Sequence, residues 1–312
     1  MFCSLLPFFV YLTGTLAVPA SHLRDVYRFP NGTWLENIAV RSNGNILVTT
    51  LHLAQLWEVN PFNPATGSRQ TQLVHQFPKP GMLTGITEID QDIFVTIVSN
   101  SLWMVDLRGT VPVANPINIT IPAGTLNGMD TLDDSGKLLA ISDSSLGLIW
   151  RVDLEAGTYD IMINDTTTAT STALGITLGV NGIRAFGGYL YYVNSPEKSL
   201  YRVRLDRSAR ALGRAENIAR GVLADDFAVT SSAVYLAGLT DNVITRVSFN
   251  GSSSVVAGGK NSTVVMTSSS AAVGRTRRDQ DVLYITTGGE TQTPVNNTDH
   301  RGGKIVALKL GL

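Results

Sequence analysis

Cysteine is almost absent from this chain: a single residue, Cys3, lies among the first few positions. The rest of the sequence therefore has no disulfide framework, no thiolate nucleophile and no cysteine ligand for a metal. Histidine is nearly as scarce. His22, His52, His75 and His300 stand far apart, none paired at the spacing of metal ligands. Excess charge is missing too, because 24 Lys and Arg against 25 Asp and Glu leave a formal −1 with both signs scattered. That balance argues against a nucleic acid or an anionic membrane surface as partner. Long apolar runs are confined to Leu5–Val18, too short to span a bilayer and interrupted by Thr13, Gly14 and Thr15. There is no Gly-rich phosphate loop before a helix, no nucleophile elbow and no zinc signature.

The apolar run at the start ends in Val18-Pro19-Ala20, which reads as a signal peptide over residues 1–20 with cleavage near Ala20. Six Asn-x-Ser/Thr sequons point the same way and mark glycosylation candidates: Asn31, Asn118, Asn164, Asn250, Asn261 and Asn296. The expectation is a protein secreted or held in the lumen of the secretory pathway, with residues 21–312 as one folded domain. A chain of this length buries enough core to fold without disulfides.

What the sequence does have is a repeat. A polar leader, an apolar run, a turn and further apolar runs recur in LENIAVRSNGNILVTT, LTGITEIDQDIFVTI, LNGMDTLDDSGKLLAIS, VNGIRAFGGYLYYVN, ADDFAVTSSAVYLAG and SSAAVGRTRRDQDVLYITT. The leading positions Glu36, Thr84, Asn127, Asn181, Asp225 and Ser269 are separated by 48, 43, 54, 44 and 44 residues. Periods of that length filled with short β runs belong to propeller blades. The predicted fold is all-β: a six-bladed β-propeller of four-stranded antiparallel blades. Segment Asp25–Phe29 has no strands before it and is expected to pair as the outer strand of the last blade. Turns are predicted at Ser42-Asn43-Gly44, Asp90-Gln91-Asp92, Asp134-Ser135-Gly136 and Gly187-Gly188. Trp57, Trp103 and Trp150 recur in the third strand and read as interblade packing. The acidic residues at 90, 92, 133 and 134 read as solvated turns, and the run Arg275-Thr276-Arg277-Arg278 as a solvated loop.

The six leading positions should converge on one mouth of the central channel. Two carboxylates, two carboxamides and two hydroxyls would then face one another. In the plain reading they bond to neighbouring backbone and channel water, and Asn-Gly at 127–128 and 181–182 is a turn dipeptide. In the functional reading, Glu36, Asn181 and Asp225 are a set of oxygen donors for a divalent cation such as calcium or magnesium, with zinc a further candidate. Trp34, Met82, Met129 and Phe227 lie beside ring positions and would give the mouth an apolar, substrate-binding lining together with Ser269.

At these residues the chain resembles the senescence marker protein/gluconolactonase family of six-bladed propellers. The resemblance implies a metal held by Glu36 in LENIAV, Asn181 in VNGIRA and Asp225 in ADDFAV, with Asn127 in LNGMDT facing substrate. The sequence departs from the family's lactonases at Thr125 and Gly128, where they carry an Arg and an Asp. It departs again at Asn37-Ile38 and Asp226-Phe227. Loss of that Arg and Asp speaks against sugar-lactone hydrolysis. The combination of FPNGTWLENIAV, GITEIDQDIF and a signal peptide is more similar to a fungal secreted branch. Its members serve secondary metabolism and include hetero-Diels–Alderases of tropolonic sesquiterpenoid biosynthesis.

Three functions stay open at this point. A pericyclase would need no cofactor. It would orient a reactive heterodiene and an alkene, with Asn127, Asn181 or Thr84 as catalytic hydrogen-bond donors. A metal-assisted lactonase would use Glu36, Asn181 and Asp225 as ligands and Asp226 or a ring carboxylate as base. A binding propeller would simply hold a small apolar metabolite. In each case the partner is a small molecule, with no membrane span, and the chain is expected to be a monomer.

Overall fold

The structure, a computed structural model, describes residues 22–63, 70–290 and 300–311. The leader at 1–20 and the sequon at Asn296 lie outside the described residues. The first strand is β1 (Leu23–Arg28). Blade one is β2 (Leu35–Val40), β3 (Ile46–Thr50), β4 (Gln55–Val59) and β5 (Thr71–Gln76). Blade two is β6 (Leu83–Asp90), β7 (Ile93–Val98), β8 (Ser101–Asp106) and β9 (Val113–Pro116). Blade three is β10 (Leu126–Thr131), β11 (Leu138–Asp143), β12 (Leu148–Asp153) and β13 (Thr158–Ile163). Blade four is β14 (Val180–Phe186), β15 (Tyr189–Asn194), β16 (Ser199–Leu205) and β17 (Ala211–Arg220). Blade five is β18 (Phe227–Val229), β19 (Ala233–Ala237), β20 (Val243–Ser248) and β21 (Ser253–Gly258). Blade six is β22 (Ser268–Val273), β23 (Val282–Thr287), β24 (Lys304–Lys309) and, returning from the start of the chain, β1.

The predicted fold and its closure are both present. β1 runs antiparallel to β24 from Leu23 opposite Leu308 to Arg28 opposite Lys304, and Lys304 Nζ reaches Asp25 Oδ1 at 2.7 Å across that seam. The sequence makes blades because its second strands are apolar on both faces, as in ILVTT and AVYLA, and each is buried throughout. Such a strand must be covered on both sides, and only neighbouring blades can do that. Outer strands such as TQLVHQ are mostly open to solvent. Six apolar clusters result, each shared by two successive blades. The third-strand tryptophans sit in these interfaces. Trp57 meets Phe29 edge-on at 5.8 Å and Trp103 meets Phe77 at 5.4 Å.

The inner strands carry a repeated irregularity. In blade one Leu35 faces Thr50 and Ile38 faces Val48, so Glu36 and Asn37 together oppose Thr49. The same two-against-one bulge recurs at Thr84-Gly85, Asn127-Gly128, Asn181-Gly182 and Ser269-Ser270. In blade five Asp225 and Asp226 both bond to Ala237. A bulge breaks the alternation of faces and re-aims its two residues, here toward the axis. The Asn-Gly pairs are therefore not turns, as the dipeptide suggested, but bulges. Their glycines let strands approach: a Cβ on Gly128 would stand 2.6 Å from the Asn181 carbonyl oxygen.

Hydroxyls then stitch the blades together. Thr49 donates to the Thr84 carbonyl at 2.9 Å, Thr84 to that of Leu126 at 3.1 Å, and Ser142 to that of Asn181 at 2.5 Å. Ser195 donates to Ala224 at 2.6 Å, and Ser269 of blade six closes the circle on Leu35 at 2.6 Å. Two surface expectations change. Asp92 is not a solvated turn residue, since the guanidinium of Arg41 donates to it at 2.8 Å across two blades. Arg275 does not dangle in a solvated loop. It bonds the Val40 carbonyl at 2.9 Å and pairs with Glu88.

The closing seam should carry as much stability as any other interface. Ile305→Ala, at a fully buried position of the cluster joining blades six and one, is expected to cost about 2–5 kcal/mol. A denaturant midpoint, with the slope unchanged, would measure it.

Candidate functional site

Each bulge sets one residue at the upper part of the channel and its successor one step below. The six predicted ring positions all occupy the upper place, and the structure brings the acidic members together. Glu36 and Asp225 are buried, each 8% exposed, and among the described residues neither is ion-paired. Trp34 donates its indole N–H to Glu36 Oε2 at 2.6 Å, and Asn181 Nδ2 donates to Asp225 Oδ1 at 2.6 Å.

Two buried carboxyls with so little compensation resist ionisation. Burial pushes Glu36 up to about 7, against the Trp34 hydrogen bond and with added repulsion from Asp226. Burial likewise holds Asp225 well above the usual carboxylate range, reinforced by the charges of Glu36 and Asp226 and opposed by the Asn181 hydrogen bond. Near neutral pH the pair is a proton donor or a seat for a cation.

The other ring members differ in how free they are. Thr84 and Ser269 have given their hydroxyl protons to the backbone of the next blade. They retain only acceptor capacity. Asn181 spends both amide hydrogens, on Asp225 and on Ser195 Oγ at 3.0 Å. Asn127 is half-buried, and its carboxamide makes no hydrogen bond among the described residues. It is the ring amide available to a ligand.

The expected apolar lining is only partly there. Trp34 is buried beside Glu36, its ring pressed on Gly288 so closely that a Cβ there would collide with it. Met82 is exposed on the upper face, in a groove of ≈ 650 Å³ with His52, Lys79 and Ser99. Met129 and Phe227 are core residues instead, in the interfaces of blades two and three and of blades four and five. They follow a bulge, which turns them from the axis into the sheet packing.

Below the ring lies a polar waist that the repeat comparison did not single out. Asp226 Oδ2 accepts from Arg184 at 2.6 Å, Ser270 at 2.8 Å and Asn37 at 3.0 Å, while its Oδ1 takes the Phe227 amide at 2.8 Å. Asp130 Oδ1 accepts from Thr87 and from the Thr131 amide, each at 3.0 Å, and Oδ2 from the Ala185 amide at 2.9 Å. Burial raises the Asp130 carboxyl, with Arg184 and these bonds pulling the other way. The signal was in the sequence. Blades one, five and six place a polar residue directly after the ring position (Asn37, Asp226 and Ser270), whereas blades two, three and four place one three residues on (Thr87, Asp130 and Arg184).

For a metal, Glu36, Asn181 and Asp225 supply only oxygens and two potential negative charges. That chemistry suits calcium or magnesium better than zinc, whose sites are usually built on nitrogen and sulfur. Among the described residues no group of three or more His, Cys, Asp or Glu side chains is arranged to ligate a metal. Among them, too, no helix is long and apolar enough to cross a membrane.

No family model matches the chain. Two curated proteins do, both named hetero-Diels–Alderases. One, from Sarocladium schorii, is 27% identical over 84% of this chain and 77% of its own length. The other, from a Phoma species, is 27% identical over 88% of each. Among solved structures, regucalcin from Agrobacterium tumefaciens, a calcium-binding protein, superposes with a TM-score of 0.65 at 16% identity, covering 92% of this chain and 93% of that one. A gluconolactonase from Xanthomonas campestris gives 0.64 at 14% identity, covering 92% and 89%. At such identities the two structures share the propeller fold, and the resemblance in fold read from the repeat is present in space.

Two outcomes are expected at this site. Glu36 has a higher pKa folded than its ordinary value of 4.5, so its contribution is full below about pH 4.5 and is lost as pH rises through about 7. In chelator-treated protein Glu36→Gln should flatten that loss. Above pH 8 the variant would be more stable than wild type, by at most about 3 kcal/mol, as read by urea unfolding across pH. Gly288→Ala should displace the Trp34 ring from its seat, seen as a red shift and loss of intensity in tryptophan emission.

Proposed function

We propose that this chain is a pericyclase of the hetero-Diels–Alder type, joining a reactive heterodiene to an alkene at the upper mouth of the channel. The observation that carries the reading is the likeness, over more than four-fifths of the chain, to two proteins named hetero-Diels–Alderases. The geometry supports it. Such a cycloaddition makes two σ bonds from π electrons and needs no nucleophile, so the protein's share is orientation, exclusion of water and modest polarisation. A neutral carboxyl in a buried site is a strong hydrogen-bond donor. Burial favours that form at Asp225 and keeps Glu36 partly in it near neutral pH. Donation to the heterodiene oxygen draws electron density from it as the bonds form. Asn127, half-buried and uncommitted, fixes the orientation of that oxygen.

Supplied with an ortho-quinone methide generated in solution and an electron-rich alkene, the protein should give one stereoisomer faster than the background reaction. Asn127→Ala and Glu36→Ala are each expected to cost roughly tenfold or more in rate and to erode stereoselectivity. Unchanged rate and product ratio in both, and in Asn181→Ala, would overturn the assignment.

The unpaired Glu36–Asp225 pair also favours a second reading, a metal-assisted lactonase. Glu36, Asn181 and Asp225 would hold a calcium or magnesium ion, whose chemistry is to polarise a lactone carbonyl and acidify water. Elemental mass spectrometry on the secreted protein separates the two. About one ion per chain, lost in Glu36→Gln together with lactone hydrolysis, would replace the pericyclase reading.

We place the protein in the secretory pathway, with a small apolar metabolite as its partner. The sequon asparagines within the described residues (Asn31, Asn118, Asn164, Asn250 and Asn261) are all exposed, as glycan attachment requires.

A further inference from the structure

The channel has a second end, and it is built differently. There the six inner strands line a chamber of ≈ 320 Å³ that opens to solvent, with Ala39, Ala228 and Ala272 beside Thr87, Asp130 and Arg184 of the waist. That volume is about ten waters' worth. It belongs to none of the ring residues, since Glu36, Thr84, Asn127, Asn181, Asp225 and Ser269 are absent from its lining.

The hydrogen bonds already made at the waist limit what the chamber can take. Asp226 already accepts four hydrogen bonds and Asp130 three. Arg184, which lines the chamber, spends one N–H on Asp226 and one on the Ile183 carbonyl at 2.7 Å. A guanidinium has five. The largest surplus of unmade hydrogen bonds on the lining is therefore of donors, on the arginine. An anion is disfavoured, because two aspartates flank that single cation. A cation is repelled by Arg184 and meets carboxylates already bonded, Asp130 to three donors and Glu88 to the Asp92 amide and Arg275. What remains is an apolar molecule with a neutral oxygen acceptor.

We propose that this lower chamber is a separate binding site for a small, largely apolar carbonyl compound, its oxygen hydrogen-bonded by Arg184. The walls, mostly alanine, isoleucine and valine, provide the apolar burial. Glu88, held by Arg275, forms part of the rim. The site is independent of the chemistry assigned to the upper mouth.

The test uses the secreted wild-type protein and the neutral aryl ketone dye Prodan, whose emission moves to the blue in apolar surroundings. The same titration is run with dimethylaminonaphthalene, which lacks the ketone. Saturable binding of one Prodan per chain is expected, about tenfold tighter than the ketone-free dye. Ala39→Leu and Ala272→Leu fill the chamber from two different strands without replacing a charged residue. Each should weaken Prodan by about tenfold or more while unfolding cooperatively like wild type. Arg184→Lys keeps the charge beside Asp226 but loses the fork, and should bring the two dyes to similar affinity. Asn127→Ala, in the upper ring, should leave Prodan binding as it was. No saturable binding, equal affinity of wild type for both dyes, or loss on Asn127→Ala with none in the two filled variants would each overturn the proposal.

Discussion

Everything at the axis follows from how closely six inner strands are drawn together. The apolar second strands force blades to stack face to face, and stacking six of them brings the first strands within hydrogen-bonding distance of one another. At that separation a regular strand leaves its carbonyls and its side chains competing for the same space. The bulge relieves the conflict in every blade by adding a residue, and the hydroxyls of Thr49, Thr84, Ser142, Ser195 and Ser269 satisfy carbonyls of the next strand. The ring of unlike side chains is thus a by-product of closure. Some members are consumed by that duty, and those left over, Glu36, Asp225 and Asn127, are free for chemistry.

The fold was legible because its determinants repeat. Apolar second strands, turn residues and a period of 43 to 54 residues are local signals, and one copy reinforces another. The fate of the strand at Leu23–Arg28 was legible by elimination, since no other blade lacks an outer strand. The upper ring was legible for the same reason, as it is the first polar position of each copy. The bulges were not. Asn-Gly in isolation signals a turn, and only the approach of a neighbouring backbone to Gly128 shows why glycine is needed there. Missing the bulges put Met129 and Phe227 in the mouth, since simple alternation from the ring position directs them inward.

The waist escaped for a related reason. Its members sit at two different offsets from the ring position, one residue on in blades one, five and six and three residues on in the others. A search for equivalent positions looks at one offset at a time. The pairing of Arg184 with Asp226, contributed by adjacent blades, appears only when the circle is drawn. The long-range pairs Arg41 with Asp92 and Arg275 with Glu88 were hidden in the same way, each joining the foot of one inner strand to a different blade.

The union of β1 with β24 has a consequence for how the molecule is made. The partner of the first strand follows every other strand of the ring in the chain, so blade six stays incomplete until that strand is made. Until then Val26 and the face of blade one that shares its apolar cluster in the finished ring have nothing to cover them, and the edges of the unfinished sheet are open. An interrupted polypeptide lacking β24 would expose this seam and offer quality control a direct sign of incompleteness. The finished ring hides it.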